Sequence, residues 1–243
     1  MDETMNDSSS PTSLSERQVG RRALIGGAAL AGGLLAAGSA AAQGGAPAPA
    51  AFEPKPLPFA AGSIPGFSEK LLTSHHENNY VGAVKRLGAI ESAIASLNPS
   101  TAPGFTLNGL KREELIAWNS MILHELYFAN LGAAATPSPK LQAALDAGFG
   151  GLRAWAAQFS AMGKALGGGS GWVILTYSHR DGRLVNQWAA DHTMSLAASS
   201  PILVLDMYEH AYAIDYGAKA AAYVDAFMSA INWKMANERF ERV

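Results

Sequence analysis

The sequence predicts an α+β fold: a long N-terminal α-hairpin followed by a small three-stranded antiparallel sheet packed with helices. Three observations carry that prediction. Apolar residues recur at helical spacing through two long runs separated by a Pro/Gly/Thr-rich loop. Two β-rich runs then flank H-R-D-G, a hairpin signal, and a third apolar run, P-I-L-V-L-D, follows them. No internal repeat is found.

The first helix is predicted from Phe67 to about Leu97, with apolar residues at Leu71, Leu72, Tyr80, Val84, Leu87, Ile90, Ile94 and Leu97, and Asn98-Pro99 ending the run. After the loop at 99–109, a second helix is predicted over about 111–130, antiparallel to the first. T-P-S-P at 136–139 marks a domain boundary, which divides the chain into 57–135, a helical-hairpin domain, and 136–243, an α/β domain. Shorter helices are predicted at 139–147 and 151–165, strands at 171–177, 183–188 and 201–206, and closing helices at 209–230 and 232–241.

Ahead of this lies a leader. Arg21-Arg22 precede an Ala/Gly/Leu run and S-A-A-A-Q at 39–43, the order of a signal peptide (residues 1–42) cleaved after Ala42. The arginine pair and the mildly hydrophobic run resemble a twin-arginine signal, although Leu24 and Gly26 stand where that pattern commonly has Phe and Lys. The expectation is export to a bacterial periplasm, with no membrane attachment once the leader is cleaved. Residues 43–56 read as a Pro/Ala linker.

The 243 residues are 49% hydrophobic and 16% charged, with a formal net charge of −2, which suits a globular chain and leaves no electrostatic case for nucleic acid. With no cysteine, disulfides and zinc–thiolate sites are excluded, and any metal must be held by His, Asp or Glu. Hydrolase chemistry has neither a cysteine nor a nucleophile-elbow motif, and a di-iron bundle would need paired Glu-x-x-His motifs that do not occur.

L-D-M-Y-E-H-A-Y at 205–212 is the most informative stretch. Asp206 ends an apolar strand and His210 follows four residues later, so that a carboxylate and an imidazole can converge on one ion. Taken alone, that spacing is more often incidental. His124 stands among large apolar residues, where a lone histidine is more often a satisfied core residue than a ligand. His75 and His76 are adjacent on a helix and point about 100° apart, so only one of them can face a given site.

On these residues the chain resembles the iron/manganese superoxide dismutase family over about 57–242. D-M-Y-E-H-A-Y at 206–212 is similar to the signature D-x-W-E-H-A-Y, with Tyr208 in place of the tryptophan. G-S-G-W at 169–172, L-P-F-A at 57–60 leading to I-P-G-F-S at 64–68, and the helical lead-in at 141–159 stand in the family's order. The resemblance implies superoxide as substrate and one Fe or Mn ion per subunit, held by three imidazoles and one aspartate: His75, His124, Asp206 and His210. A competing register places the active-site tyrosine at Tyr80 and the first ligand at Leu72; the run 67–75, which matches without gaps, favours His75. In that register Asn79, Ala83 and Ala213 replace a histidine and two tyrosines of the access funnel, which His76 or Tyr80 would have to rebuild. His192, in A-D-H-T, takes the outer-sphere place beside metal-bound solvent, with Gln187 falling too early for it. Glu209 takes the place of the glutamate that bridges a homodimer, or a tetramer built from one. The expected outcome is an active enzyme with altered kinetics. The competing reading is an exported metal-binding or interaction protein of weak or no activity on the same fold.

Overall fold

The computed structural model describes residues 52–132 and 135–243. The Arg21-Arg22 leader, its cleavage site and residues 43–51 of the linker lie outside the described residues.

The first helical run is three segments on one axis: α1 (Glu69–Ser74), a π-helical turn (His75–Tyr80) and α2 (Val81–Ala95). Ser68 starts it, its hydroxyl accepting from the Leu71 N–H at 3.0 Å, with Glu69 in the positive first turn. In the π turn the Val81 N–H reaches the His76 carbonyl, five residues back rather than four. α3 (Gly104–Ala129) begins seven residues earlier than expected and lies along α2, burying Leu87, Ile90, Ala117, Met121 and Phe128. α4 (Pro139–Phe149) has Ser138 as its cap and Pro139 in its first turn, and ends at left-handed Gly150; α5 (Leu152–Ala165) follows.

The sheet is antiparallel in the order β2-β1-β3, from β1 (Trp172–Ser178), β2 (Arg183–Ala189) and β3 (Ser199–Asp206). Its register matters for the site. Trp172 pairs with Ala189 on one side and Asp206 on the other, so one end of the sheet gathers the head of β1 and the tails of β2 and β3. Gly171 permits this: at φ 131° an added Cβ would lie 2.1 Å from the Ala189 carbonyl oxygen.

The single helix expected over 209–230 is instead a short turn (Glu209–Ala211), α6 (Ala213–Tyr216) and α7 (Ala220–Ser229). The break falls at Gly217, whose φ of 54° and ψ of −126° no helix contains. α8 (Trp233–Phe240) closes the chain. Among the described residues no helix is long and apolar enough to cross a membrane. The core is continuous from the hairpin to the sheet, with Tyr127, Phe128 and Leu131 packed together with Trp155, Phe159, Leu203, Leu205 and Phe227.

The linker expectation ends too late. Phe52 stacks edge-on against Trp118 at 5.0 Å, and Lys55 is bonded to the hairpin, so residues 52–56 are a strap on the folded body.

Candidate metal centre

Four side chains from four elements of the fold converge. His75 comes from the π turn, His124 from α3, Asp206 from the end of β3, and His210 from the short turn after it; their donor atoms all lie within 4.8 Å of one another. Asp206 Oδ2 is the hub, at 3.1 Å from His75 Nε2, 3.3 Å from His210 Nε2 and 3.5 Å from His124 Nε2. His124 Nε2 and His210 Nε2 are 3.4 Å apart. His75, His124 and Asp206 are buried, while His210 keeps 26% of its side chain exposed.

These contacts are not a satisfied hydrogen-bond network. His124 Nδ1 faces the Ser120 carbonyl at 2.6 Å and must donate there, so a neutral His124 presents a bare Nε2 lone pair to the cluster. That lone pair faces a carboxylate oxygen with no proton between them, which is repulsive unless a cation lies there. His75 Nδ1 is buried without a hydrogen-bond partner, a cost of about 1–3 kcal/mol that a strong bond at Nε2 would offset. Donors about 2.1 Å from one ion lie roughly 3–4 Å apart, and four of the donor pairs here are 3.1–3.5 Å apart. Three imidazoles and a carboxylate suit a mononuclear transition metal. The residues fit the group.

The electrostatics agree. Burial lowers the pKa of His124 to about 3, reinforced by His75, and burial likewise pulls His75 below its ordinary value. Both imidazoles are therefore neutral, and His124, protonated at Nδ1, has no proton at Nε2 for a metal to displace. Burial alone would push Asp206 up, but the His210 charge and hydrogen bonds from His210 and His75 outweigh it and hold the carboxyl below the usual range. Around the cluster, the Tyr208 N–H donates to Asp206 Oδ1 at 2.8 Å and the Tyr223 hydroxyl to the Asp206 carbonyl at 2.7 Å. Bonds of this kind fix the aim of a ligand.

Above the cluster opens a mouth of about 260 Å³, lined by Asn79, Ala83, Arg86, Ser120, His124, His192 and His210 among others. Asn79 and Ala83, small where a histidine and a tyrosine were looked for, form one wall. Arg86 is the one fixed charge among its described lining residues, and it pairs with Glu113. His192 lies three residues past the end of β2, where the indole N–H of Trp172 donates to its Nδ1 at 3.1 Å. Leu72, the alternative first ligand, is sealed in the core, as are its apolar neighbours.

His76 and Tyr80 do not rebuild the mouth, which corrects the expectation for both. Successive helical residues diverge by about 100°, and these two face the strap instead. The His76 Nε2–H donates to the Lys55 carbonyl at 2.8 Å, the Tyr80 hydroxyl accepts from the Lys55 N–H at 2.8 Å and donates to Glu125 at 3.0 Å, and Lys55 Nζ pairs with Glu125. Glu209 is exposed beside His210, and Ala213 is exposed on α6. Gln187 holds the loop after β2, accepting from the Leu196 N–H at 3.0 Å. Sequence reasoning passed over Ser120, Trp172 as a donor to His192, and Arg86. Only Ser120 had a local signal, standing one turn before His124.

Fold and donor set together define a mononuclear metalloprotein whose ligands come from a helical hairpin and the end of an antiparallel sheet. Residues 137–239 match the family described as iron/manganese superoxide dismutases, C-terminal domain. The chain is 62% identical over 189 residues to the superoxide dismutase [Fe] of Cupriavidus metallidurans, covering 78% of this chain and 96% of that one. It is 35% identical to the superoxide dismutase [Fe] of Aquifex pyrophilus over 74% of this chain and 87% of the relative. It is 33% identical to superoxide dismutase [Mn] 1 of Halobacterium salinarum over 79% and 96%. The chain belongs to the iron/manganese superoxide dismutase family.

Proposed function

We propose that this chain is a superoxide dismutase whose one iron or manganese ion is held by His75, His124, Asp206 and His210. The observation that carries the reading is the convergence of three imidazole nitrogens on one buried carboxylate oxygen within 3.1–3.5 Å. Iron is the metal favoured by the relative at 62% identity, whose name specifies it. When bound, the ion supplies one-electron chemistry, by which two superoxide ions and two protons become oxygen and hydrogen peroxide. The chain does the rest. His124, neutral through burial and protonated at Nδ1, offers its Nε2 lone pair, His75 is likewise held neutral, and Asp206 supplies the one negative charge. Arg86 draws an anion toward the mouth, and His192 offers a hydrogen bond inside it. The competing expectation of a catalytically silent chain is not favoured, because the 62% identical relative is named for the activity.

The test is dismutation by purified protein of known metal content. Activity should vanish with the metal and return at one iron or manganese per chain. A fully loaded chain without dismutation would overturn the reading.

The same proposal includes export and assembly. The Arg21-Arg22 leader directs the folded chain to the periplasm, and the Lys pair in its place should leave the protein in the cytoplasm on fractionation. The proposal also includes the division of the chain into a helical-hairpin domain, 57–135, and an α/β domain, 136–243. Exposed Glu209, next to ligand His210, bridges a homodimer; Glu209→Ala should lower the mass seen by light scattering, and an unchanged mass would count against it.

A further inference from the structure

The strap across the outside of the helical hairpin is built around one residue. Prolines stand at 54, 56 and 58, so Lys55 has the only N–H of residues 54–56, and Pro56 after it holds it extended. Both of its backbone groups are used. The Lys55 N–H donates to the Tyr80 hydroxyl and the Lys55 carbonyl accepts from the His76 Nε2–H, each at 2.8 Å. His76 and Tyr80 are four residues apart in the π turn, with ring centroids 5.1 Å apart, and together they clip a single strap residue.

The clip reaches both segments that carry the buried imidazole ligands. His75 opens the π turn, next to His76. On α3, Glu125 follows ligand His124, accepts from the Tyr80 hydroxyl at 3.0 Å and pairs with Lys55 Nζ. Phe128 fills the space between clip and ligand: its ring centroid lies 4.9 Å from that of His75, 5.5 Å from His76 and 6.4 Å from Tyr80. π turns are rare and gather at functional sites. This one sends His75 to the metal floor, and His76 and Tyr80 to the strap.

The strap is not packed flush. A cavity of about 250 Å³ lies beneath it, lined by Lys55, Pro56, Pro58, Tyr80, Leu126 and Phe128 among others. Residues 52–56 are therefore held by these bonds and by the edge contact of Phe52 on Trp118, and they can lift without opening the core.

We propose that the strap is a latch on the metal floor: with the ion held as proposed above, the Lys55 backbone, clipped by His76 and Tyr80, keeps the π turn in the form that aims His75 and so sets how slowly the ion leaves. His76, Tyr80, Lys55 and Glu125 are positioning residues, acting on the ion through His75 and His124. The latch grips by backbone more than by charge, because the Lys55 side chain is 70% exposed, where an ion pair contributes little.

The experiment uses the full chain loaded with cobalt(II), whose visible bands report ligand geometry and whose loss into excess EDTA gives the rate of release. Tyr80→Phe removes two hydrogen bonds of the clip, and it should speed release by about tenfold and shift the cobalt bands. His76→Ala should speed release by about five- to tenfold, and His76→Gln, whose amide can still donate to the Lys55 carbonyl, should recover most of that loss. Lys55→Met keeps both backbone bonds and should stay within about threefold of wild type. Leu141→Val, in the buried face of α4 against α5 and β2, should lower the urea midpoint of metal-free protein and leave the release rate unchanged. Should Tyr80→Phe not fold, the two His76 variants decide. Wild-type release and bands in Tyr80→Phe and His76→Ala would overturn the latch, as would a Leu141→Val chain that releases cobalt as fast as Tyr80→Phe. Bands unmoved by Asp206→Ala would place the ion elsewhere and overturn the metal site and the latch together. Absence of dismutation in iron-loaded wild type would count against the proposed activity alone, because cobalt release does not depend on turnover.

Discussion

Along one helical run, His75 and the pair Asn79 and Ala83 are one and two turns apart, yet they belong to regions built in opposite ways. Beneath, His75, His124 and Asp206 are sealed, and each of the latter two has a bond that dictates its aim. Above, the walls are small or polar: Asn79, Gly82, Ala83, Ser120, with exposed Arg86 at the rim. Holding a metal and admitting an anion are therefore separable jobs in this chain. A change below should cost the metal, and one above should alter entry while the metal stays.

The largest effect should come from Asp206→Ala. It removes the hub oxygen and leaves three bare or half-bare imidazoles facing one another, so metal content should fall by more than about tenfold by elemental analysis. His75→Ala should do the same, and adding Leu72→His to it should not restore binding, because Leu72 points into apolar core. Full metal content in Asp206→Ala would erase the distinction between floor and mouth.

Acid comes next. The folded pKa of His124, about 3, lies below its unfolded value of about 6.5, and His75 is shifted the same way. Below pH 6.5 the unfolded chain therefore binds more protons than the folded one. The stability of metal-free protein should be fully present above that pH and be lost as pH falls toward 3, by up to about 1.4 kcal/mol per pH unit for His124, with His75 adding in the same direction. Urea unfolding of the metal-free chain between pH 7 and 4.5 measures this. Flat stability over that range would mean the floor is not sealed.

A smaller effect is expected from Ala83→Tyr, which puts a phenol into the 260 Å³ mouth. Metal content should be unchanged while kcat/KM and azide affinity shift by about three- to tenfold, a loss of entry and not of the site. The smallest is Arg86→Gln. It should lower kcat/KM by about two- to threefold at low salt and flatten its dependence on ionic strength, with kcat kept. Glu113→Gln, which frees Arg86 from its ion pair, should act in the opposite direction.

What could be read in the sequence follows the range of each interaction. Asp206 and His210 share a five-residue motif, and the two long helices and three strands announce themselves by periodicity. His124 and His75 have no such local mark, and only the resemblance to a family singled them out. His76 and Tyr80 were assigned to the wrong neighbourhood because their partner, Lys55, lies 21 and 25 residues away in a segment that composition marks as linker. The Trp172–His192 bond depends on strand register, since β1 must pair with Ala189 before the loop beyond it can reach the indole. Helix breaking at Gly217 was likewise invisible to an apolar pattern that runs on through it.

Anomalous diffraction from crystals of the protein, recorded at the iron and manganese edges, shows whether His75, His124, Asp206 and His210 hold the ion. One peak per chain is expected at one of those edges, about 2.0–2.3 Å from His75 Nε2, His124 Nε2, His210 Nε2 and Asp206 Oδ2. A peak held by other residues, or a dismutating crystal sample with no peak at this cluster, would contradict it.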